Sequence, residues 1–154
     1  METGLRQNRP RVIVVCGPTG IGKTRTAIQL AERFHGEIIG ADSMQIYRWM
    51  DIGTAKPTPA EQACVRHHMV DIVDPDTPYD AARYARDAGK VICELHDRGV
   101  VPIVAGGTGL YIKALIYGLF DSRPPDPDIR RGLEDLADAH GPSYLHTQLA
   151  ACDP

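Results

Sequence analysis

The sequence predicts an α/β fold, in which a mainly parallel sheet is flanked by helices as in P-loop nucleoside triphosphatases. Three observations support this class. Residues 17–24 read Gly-Pro-Thr-Gly-Ile-Gly-Lys-Thr, which fits the phosphate-binding pattern of glycine, four residues, then Gly-Lys-Ser/Thr. A nearly all-apolar run, 11–16, precedes this loop, and a helical pattern ending near Gly36 follows it. Two further apolar runs, 37–43 and 100–105, are typical of buried parallel strands.

Composition restricts the class of protein further. The chain has 154 residues, 43% of them hydrophobic, and a net charge of −3. This is the size of about one domain, and the charge gives no bulk attraction to nucleic acid. No apolar run reaches membrane-spanning length, and residues 1–10, which we expect to be flexible, contain no signal-peptide core. The four cysteines form no Cys-x-x-Cys pair, so we expect reduced thiols in the cytoplasm (Cys16, Cys64, Cys93 and Cys152).

The glycine-rich loop predicts a site for an anion. Glycine at positions 17, 20 and 22 lets several backbone N–H groups point at one anion. The start of the following helix adds roughly half a positive charge. Lys23 supplies a full positive charge, and the Thr24 hydroxyl is suited to hold Mg²⁺. The loop therefore predicts a polyphosphate ligand, either a nucleotide or another diphosphate ester.

Asp42 is the candidate catalytic residue of the second strand. It follows the apolar residues of the run 37–43, and ligands of open α/β sheets bind beyond the carboxyl ends of the strands. We therefore expect Asp42 to face the phosphate ester from the neighbouring strand; the alternative is that it caps a turn. The next segment, 44–57, has no clean period and predicts an irregular, partly exposed stretch near the ligand.

The remaining patterns complete the core. Residues 59–64 predict a short helix, and residues 67–73 predict a short strand in which His67 and His68 have structural roles. Residues 79–98 predict an amphipathic helix that ends before Gly99, and residues 110–117 predict another helix. The strand 100–105 ends in a second glycine-rich segment, 106–109, where the Thr108 hydroxyl can reach a ligand. Because this strand does not end in the aspartate that P-loop nucleoside triphosphatases use on Mg²⁺, the ATPase interpretation is weakened.

The last part of the chain predicts a different unit. Residues 121–128 are rich in proline and suggest a boundary, followed by helices at 129–140 and 143–150, the second with Ser143 as its N-cap. Three parallel strands form a thin sheet for this fold class. We therefore expect the front part of a longer protein, with an incomplete core at 11–120 and the start of a helical insertion at 121–154.

Several strings, taken in order, resemble the tRNA dimethylallyltransferase family. They are Gly-Pro-Thr-x-x-Gly-Lys-Thr at 17–24, Asp-Ser-x-Gln-Ile-Tyr at 42–47, Asp-Ile-Gly-Thr-Ala-Lys-Pro at 51–57, His-His at 67–68 before Asp71-Ile72, and Gly-Gly-Thr-Gly-Leu-Tyr at 106–111. The resemblance implies transfer of a dimethylallyl group from its diphosphate to the exocyclic amine of the adenosine 3′ of the anticodon, in tRNAs that read U-starting codons. It also implies Mg²⁺ as cofactor and, at full length, a monomer.

The same resemblance implies roles for individual residues. The donor diphosphate would be bound by Gly17, Pro18, Thr19, Gly20, Ile21, Gly22, Lys23 and Thr24, with Lys23 and Thr24 also catalytic and Thr24 on the metal. Asp42 would be the general base and, with Ser43, Met44 and Gln45, would contact the flipped nucleotide. Thr108 would lie along the channel that faces tRNA, and Arg130 would touch the anticodon stem-loop. Members of this family are longer than this chain, so we expect little activity from residues 1–154 alone.

Three other functions remain open at this point. In a small-metabolite P-loop kinase, Asp42 would orient a hydroxyl group, although the string at 42–47 argues against this class. A prenyltransferase could instead act on free adenine nucleotides. A catalytically incompetent remnant would bind nucleotide or diphosphate without turnover. Tyr47 and Trp49 are candidates for stacking on the nucleotide, with a packing role equally open to each.

Overall fold

The computed structural model describes residues 10–119 and 126–153. The chain divides into two compact units, Met1–Leu119 and Phe120–Pro154. Within the described residues, the first unit contains four strands and four helices, and the second contains two helices.

The first unit is built on a parallel sheet. Its strands are β1 (Ile13–Cys16), β2 (Gly36–Gly40), β3 (His67–His68) and β4 (Val101–Gly106). They lie in the order β1-β4-β2-β3, and each neighbouring pair is parallel. The predicted fold class is therefore confirmed. The expectation that the strand before Asp42 is the neighbour of β1 is wrong, because β4 lies between β1 and β2.

Helices cover both faces of this sheet. They are α1 (Lys23–Phe34), α2 (Pro59–Cys64), α3 (Ala81–Asp97) and α4 (Gly109–Tyr117). Successive residues of a strand point to opposite faces, so Ile38 packs with α1 while Ile39 packs with α3 and α4. The α3–α4 side is the larger core, and there the rings of Tyr84 and Tyr111 stack with centroids 4.4 Å apart.

The predicted helices are largely confirmed. The bounds of α2 are those predicted, and a reciprocal cap between Thr58 and Glu61 fixes its start. The helix α3 begins at Ala81 rather than at residue 79, because the Asp80 side chain accepts a hydrogen bond from the Arg83 N–H and acts as N-cap. The helix α1 ends at Phe34, and its C-cap is His35 in the left-handed conformation, because Gly36 already pairs with Val101 in the sheet.

The strand predicted at 67–73 is much shorter than expected. Only His67 and His68 pair with β2. Met69 and Asp71 have φ angles of 61° and 54°, which end the extended conformation. Val73 forms only an isolated parallel β-bridge, with Tyr47.

The second unit consists of α5 (Pro127–His140) and α6 (Pro142–Cys152). Neither helix contains a fully buried residue. The prediction that Ser143 caps the second helix is wrong, since Gly141 is the N-cap and Ser143 lies in the first turn. Pro142 explains the difference, because proline fits the first helical position, where no N–H is needed.

Two further observations concern the chemistry of the chain. All four cysteines are unpaired and exposed, as predicted for reduced thiols. Among the helices that the structure describes, none combines the length and the apolar character needed to cross a bilayer.

Candidate functional site

A cavity of about 440 Å³ opens at the carboxyl ends of the strands. Its wall comes from four segments, which are the glycine-rich loop with the start of α1, the residues after β2, the first turn of α2, and the end of β4. The lining residues are Thr19, Gly20, Gly22, Lys23, Thr24, Arg25, Asp42, Met44, Gln45, Gly53, Thr54, Ala55, Glu61, Ala105 and Gly106. The cavity is thus in the position where open parallel sheets bind ligands.

The glycine-rich loop presents the start of α1 to this cavity. Gly20 and Gly22 have φ angles of 84° and 89°, a conformation that side chains other than glycine rarely adopt. Gly22 is the N-cap of α1, no side chain caps the helix, and its first turn contains no acidic residue. The first N–H groups of α1 therefore remain available to an anion, and the helix dipole favours negative charge there.

Lys23 and Thr24 stand at the beginning of the same helix. The Lys23 ammonium donates a hydrogen bond to the Pro18 carbonyl at 2.8 Å, which curls its side chain back over the loop. Both residues are partly buried and line the cavity. A full positive charge and a hydroxyl group thus join the backbone donors on one wall.

Asp42 lies on the facing wall. Its Oδ1 accepts a hydrogen bond from the Met44 N–H at 3.0 Å, which fixes the carboxylate in a turn. A Cβ placed on Gly107 would lie 4.0 Å from Asp42 Oδ2 and 4.0 Å from Lys23 Nζ. The free carboxylate oxygen and the ammonium group therefore lie within about 8 Å of each other, beyond the end of β4.

The backbone that carries Asp42 is fastened to the end of β4. The Ala41 N–H donates a hydrogen bond to the Ala105 carbonyl at 2.8 Å, and the Ala41 carbonyl accepts one from the Thr108 N–H at 3.0 Å. The Thr108 hydroxyl in turn accepts from the Ser43 N–H at 2.9 Å. A Cβ on Gly106 would lie 2.1 Å from the Ala41 oxygen, so only glycine allows this approach.

The predicted site residues fall into four groups. Those that line the cavity are Thr19, Gly20, Gly22, Lys23, Thr24, Asp42, Met44 and Gln45. Gly17, Pro18 and Ile21 belong to the same loop but lie outside the lining. Ser43 and Thr108 also lie outside it and are hydrogen-bonded to each other. Arg130 belongs to α5 of the second unit, where its guanidinium lies 3.0 Å from the Glu134 carboxylate.

The segment 44–56, which we call the cavity loop, folds back on the site in a way that the sequence did not predict. The Gln45 side-chain amide donates to the carbonyls of Thr54 and Ala55 at 3.1 and 2.9 Å. This bond closes the loop on itself, so that both of its ends form part of the cavity wall. The prediction of an irregular segment at 44–57 is confirmed, apart from the single bridge at Tyr47.

Lys56 is the anchor of the cavity loop. Its side chain is only 6% exposed, and Nζ lies 2.6 Å from one carboxylate oxygen of Asp51 and 2.6 Å from one of Asp71. The same ammonium donates to the Tyr47 carbonyl at 3.0 Å. Burial by itself lowers the pKa of Lys56, but the hydrogen bonds to Asp51 and Asp71 outweigh it and hold the pKa above its usual value. Lys56 therefore stays charged.

Two further charged residues on the wall were not predicted. Arg25 lies in the first turn of α1, where a cation is unfavourable beside the positive end of the helix dipole. That unfavourable placement was the available signal in the sequence that Arg25 is not an ordinary surface residue of the helix. Glu61 also lines the cavity. The backbone N–H of Thr58, and after it the Thr58 hydroxyl, donate hydrogen bonds that lower the pKa of the Glu61 carboxyl.

The histidine pair has structural contacts. His67 Nδ1 donates to the Val65 carbonyl at 2.8 Å, and His68 Nε2 donates to the Glu37 carboxylate at 2.6 Å. Residues 10–119 and 126–153 contain no group of three or more His, Cys, Asp or Glu side chains arranged to hold a metal ion. Mg²⁺ usually takes only one or two protein oxygens and completes its shell with phosphates and water, so Thr24 fits such an ion only in the company of a phosphate ligand.

Comparison with known proteins gives consistent matches to one family. The family model described as IPP transferase matches residues 45–154. A tRNA dimethylallyltransferase from Desulfosudis oleivorans is 59% identical over 152 residues, which cover 99% of this chain and 48% of the relative. The tRNA dimethylallyltransferase of Geobacter sulfurreducens is 52% identical over 147 residues, which cover 96% of this chain and 47% of that protein.

Solved structures agree with these sequence matches. The full-length tRNA isopentenylpyrophosphate transferase from Bacillus halodurans superposes with a TM-score of 0.71 at 42% identity, covering 94% of this chain and 48% of that one. A eukaryotic dimethylallyltransferase, captured acting on tRNA, gives a TM-score of 0.75 at 35% identity, covering 93% of this chain and 36% of that one. The chain thus spans about half the length of the curated relatives it matches.

Proposed function

Because the chain belongs to the IPP transferase family, we propose that it carries the donor site and the general base of a tRNA dimethylallyltransferase. The reaction transfers a dimethylallyl group from its diphosphate to the exocyclic amine of an adenosine, the one 3′ of the anticodon in tRNAs that read U-starting codons. One observation carries the proposal, which is that Asp42 Oδ2 and Lys23 Nζ both lie 4.0 Å from the same point beside Gly107, and both residues line the cavity.

The glycine-rich loop would stabilise the leaving group. Breaking the bond between the allylic carbon and the diphosphate oxygen leaves positive charge on carbon and negative charge on the departing oxygens. The free N–H groups at the start of α1 and Lys23 lie on one wall of the cavity and would stabilise that negative charge. Arg25 adds a second cation on the same wall. The loop would therefore act both in binding the donor and in lowering the barrier to its cleavage.

Asp42 would activate the nucleophile. An adenine amine is a poor nucleophile, because its lone pair is delocalised into the ring. As the new C–N bond forms, the nitrogen becomes acidic, and Asp42 Oδ2 would accept its proton, a contribution of about 10²–10⁴ in rate. The adenine must leave the base stack to enter the cavity, as in other enzymes that modify bases. Met44 and Gln45 line the wall beside Asp42 and would contact the flipped base.

Mg²⁺ would be held by the donor and by the Thr24 hydroxyl. When bound, the ion supplies positive charge to the diphosphate. Thr24 would orient that ion, while the backbone donors of α1 would bind the remaining phosphate oxygens.

The proposal is tested by assaying prenyl transfer from dimethylallyl diphosphate to tRNA with the wild-type chain and three variants. Asp42→Asn keeps the oxygen that accepts from Met44 but removes the base, so we expect donor affinity close to wild type and turnover lower by roughly 10²–10⁴-fold. Lys23→Ala is expected to weaken donor binding and lower turnover. Asp97→Asn, at an exposed position at the end of α3, is the matched control and is expected to change neither.

The outcomes separate the candidate functions. Turnover that survives Asp42→Asn would reject the role of Asp42 as the base. Donor binding without turnover in the wild-type chain would assign only the binding step to these residues. Hydrolysis of ATP in place of prenyl transfer would indicate the kinase class.

A further inference from the structure

Trp49 stands out on the cavity loop because of both its backbone and its exposure. It is the single tryptophan of the chain. Its φ angle is 65°, in the left-handed region that bulky side chains rarely adopt. The residue is 81% exposed, so burial of the indole does not compensate for this conformation. Strained backbone conformations of this kind occur preferentially where a residue contacts a ligand.

The cavity loop carries Trp49 close to the site. The loop leaves the cavity wall at Gln45 and returns to it at Gly53, and Trp49 is four residues from each. Its Cα therefore lies within about 15 Å of both lining residues. The bonds from Gln45 to Thr54 and Ala55 hold the two ends of the loop together. The indole is thus exposed on a loop whose two ends form part of the cavity wall.

The charged side chains of this loop are already engaged. The Arg48 guanidinium lies 3.0 Å from the Asp74 carboxylate and also donates to the Ile72 carbonyl. Lys56 is enclosed by two carboxylates. The large apolar side chains that this loop leaves most exposed to a ligand are therefore the Trp49 ring and the side chain of Ile52, which is 98% exposed. Unpaired nucleobases are recognised by stacking on such aromatic faces, without a requirement for local charge.

We propose that Trp49 stacks on an unpaired nucleobase of RNA next to the adenosine that enters the cavity. The inference rests on the proposed function, since it takes RNA as the ligand, and it adds a second contact outside the catalytic cavity. Trp49 binds a neighbouring base by its ring face and takes no part in the transfer of the prenyl group. Because the indole is exposed in the free chain, its ring face is available to the base.

The single tryptophan makes the test direct. We expect an anticodon stem-loop RNA, titrated into the chain, to quench the fluorescence of Trp49. Trp49→Gly relieves the left-handed strain and is expected to raise the melting temperature by roughly 2–6 °C. The same substitution is expected to weaken RNA binding by roughly 5- to 150-fold, the range for loss of one stacked base. Trp49→Phe keeps a ring and is expected to retain most of the affinity.

Three controls make the result specific. Affinity for dimethylallyl diphosphate, measured without RNA, is expected to be the same in all Trp49 variants. Ile52→Ala removes an apolar side chain of the same loop but no ring, and is expected to change RNA affinity by less than about threefold, well below the range for a lost stacked base. Sedimentation of the free chain over a range of concentrations tests for a second copy as the occupant.

Failure of this inference can be distinguished from failure of the proposed function. RNA binding that leaves the fluorescence unquenched, with equal affinity for Trp49→Gly and wild type, would overturn the inference alone. Self-association that Trp49→Gly abolishes would also overturn it, because the indole would then be an interface between copies. Absence of RNA binding by the wild-type chain would overturn the inference, and absence of donor binding as well would overturn the proposed function.

Discussion

At the scale of single residues, Gly106 determines whether the site can form. A Cβ at this position would lie 2.1 Å from the Ala41 carbonyl oxygen, and a backbone atom cannot relieve the clash by changing rotamer. We expect Gly106→Ala to lower the free energy of unfolding by at least about 2 kcal/mol, because the segment that carries Asp42 must move away from β4. Urea unfolding followed by circular dichroism measures this change.

Gly89 is the matched control for that substitution. It lies in the middle of α3, and a Cβ there would meet nothing within 4 Å. Gly89→Ala is therefore expected to stabilise the chain by about 0.5–1 kcal/mol, the usual gain for alanine over glycine inside a helix. Equal effects of the two substitutions would show that the close approach at Gly106 is unimportant.

Single residues also mark the limit of prediction from sequence. Lys23 and Asp42 could be predicted because a local motif and the end of an apolar run identify them. Lys56 could not, since its partner Asp71 is fifteen residues away and no pattern connects them. Trp49 was a candidate for stacking, but only the backbone angle and the exposure of the indole distinguish it from a packing residue.

At the scale of secondary-structure elements, the Glu37 side chain connects β2, β3 and α3. Its carboxylate, on β2, accepts from His68 of β3 and from Arg98 at the end of α3, each at 2.6 Å. The side chain is only 13% exposed. Burial raises the pKa of Glu37, but the hydrogen bonds from Arg98 and His68 lower it by more, so that the pKa lies below its usual value.

This shift predicts a pH-dependent contribution to stability. Because the folded-state pKa is lowered, the ionised carboxylate stabilises the fold above about pH 4.5, the ordinary value, and this contribution is lost as the pH falls through the folded-state pKa. At neutral pH, Glu37→Gln is expected to lower the free energy of unfolding by about 1–3 kcal/mol. Urea titrations of both proteins between pH 7 and pH 3 test this, and a difference that stays constant with pH would contradict it.

The elements themselves were predicted unevenly. The helix α2 has the predicted bounds because its capping residues and its proline are local signals. The length of β3 and the position of β4 between β1 and β2 depend on contacts between residues far apart in the chain. Hydrophobic runs identify strands, but they carry no information about the order in which strands pair.

At the scale of the whole molecule, the two units differ in how much they bury. The first contains two hydrophobic clusters around its sheet, whereas α5 and α6 contain no fully buried residue. We expect amide hydrogens of α5 and α6 to exchange at least roughly 100-fold faster than those of β4, because their opening exposes no core. Hydrogen exchange followed by mass spectrometry measures this, and equal protection of the two regions would contradict it.

The position of β4 has a consequence for how the protein is made. The glycine-rich loop and Asp42 are synthesised early, yet the strands that carry them are held apart and in register by residues 101–106. A nascent chain that ends before residue 101 has both reactive groups and nothing to set their separation. Among the four strands that the structure describes, β4 is synthesised last. We therefore expect the separation of the glycine-rich loop and Asp42 to be fixed only once residues 101–106 have paired with both β1 and β2.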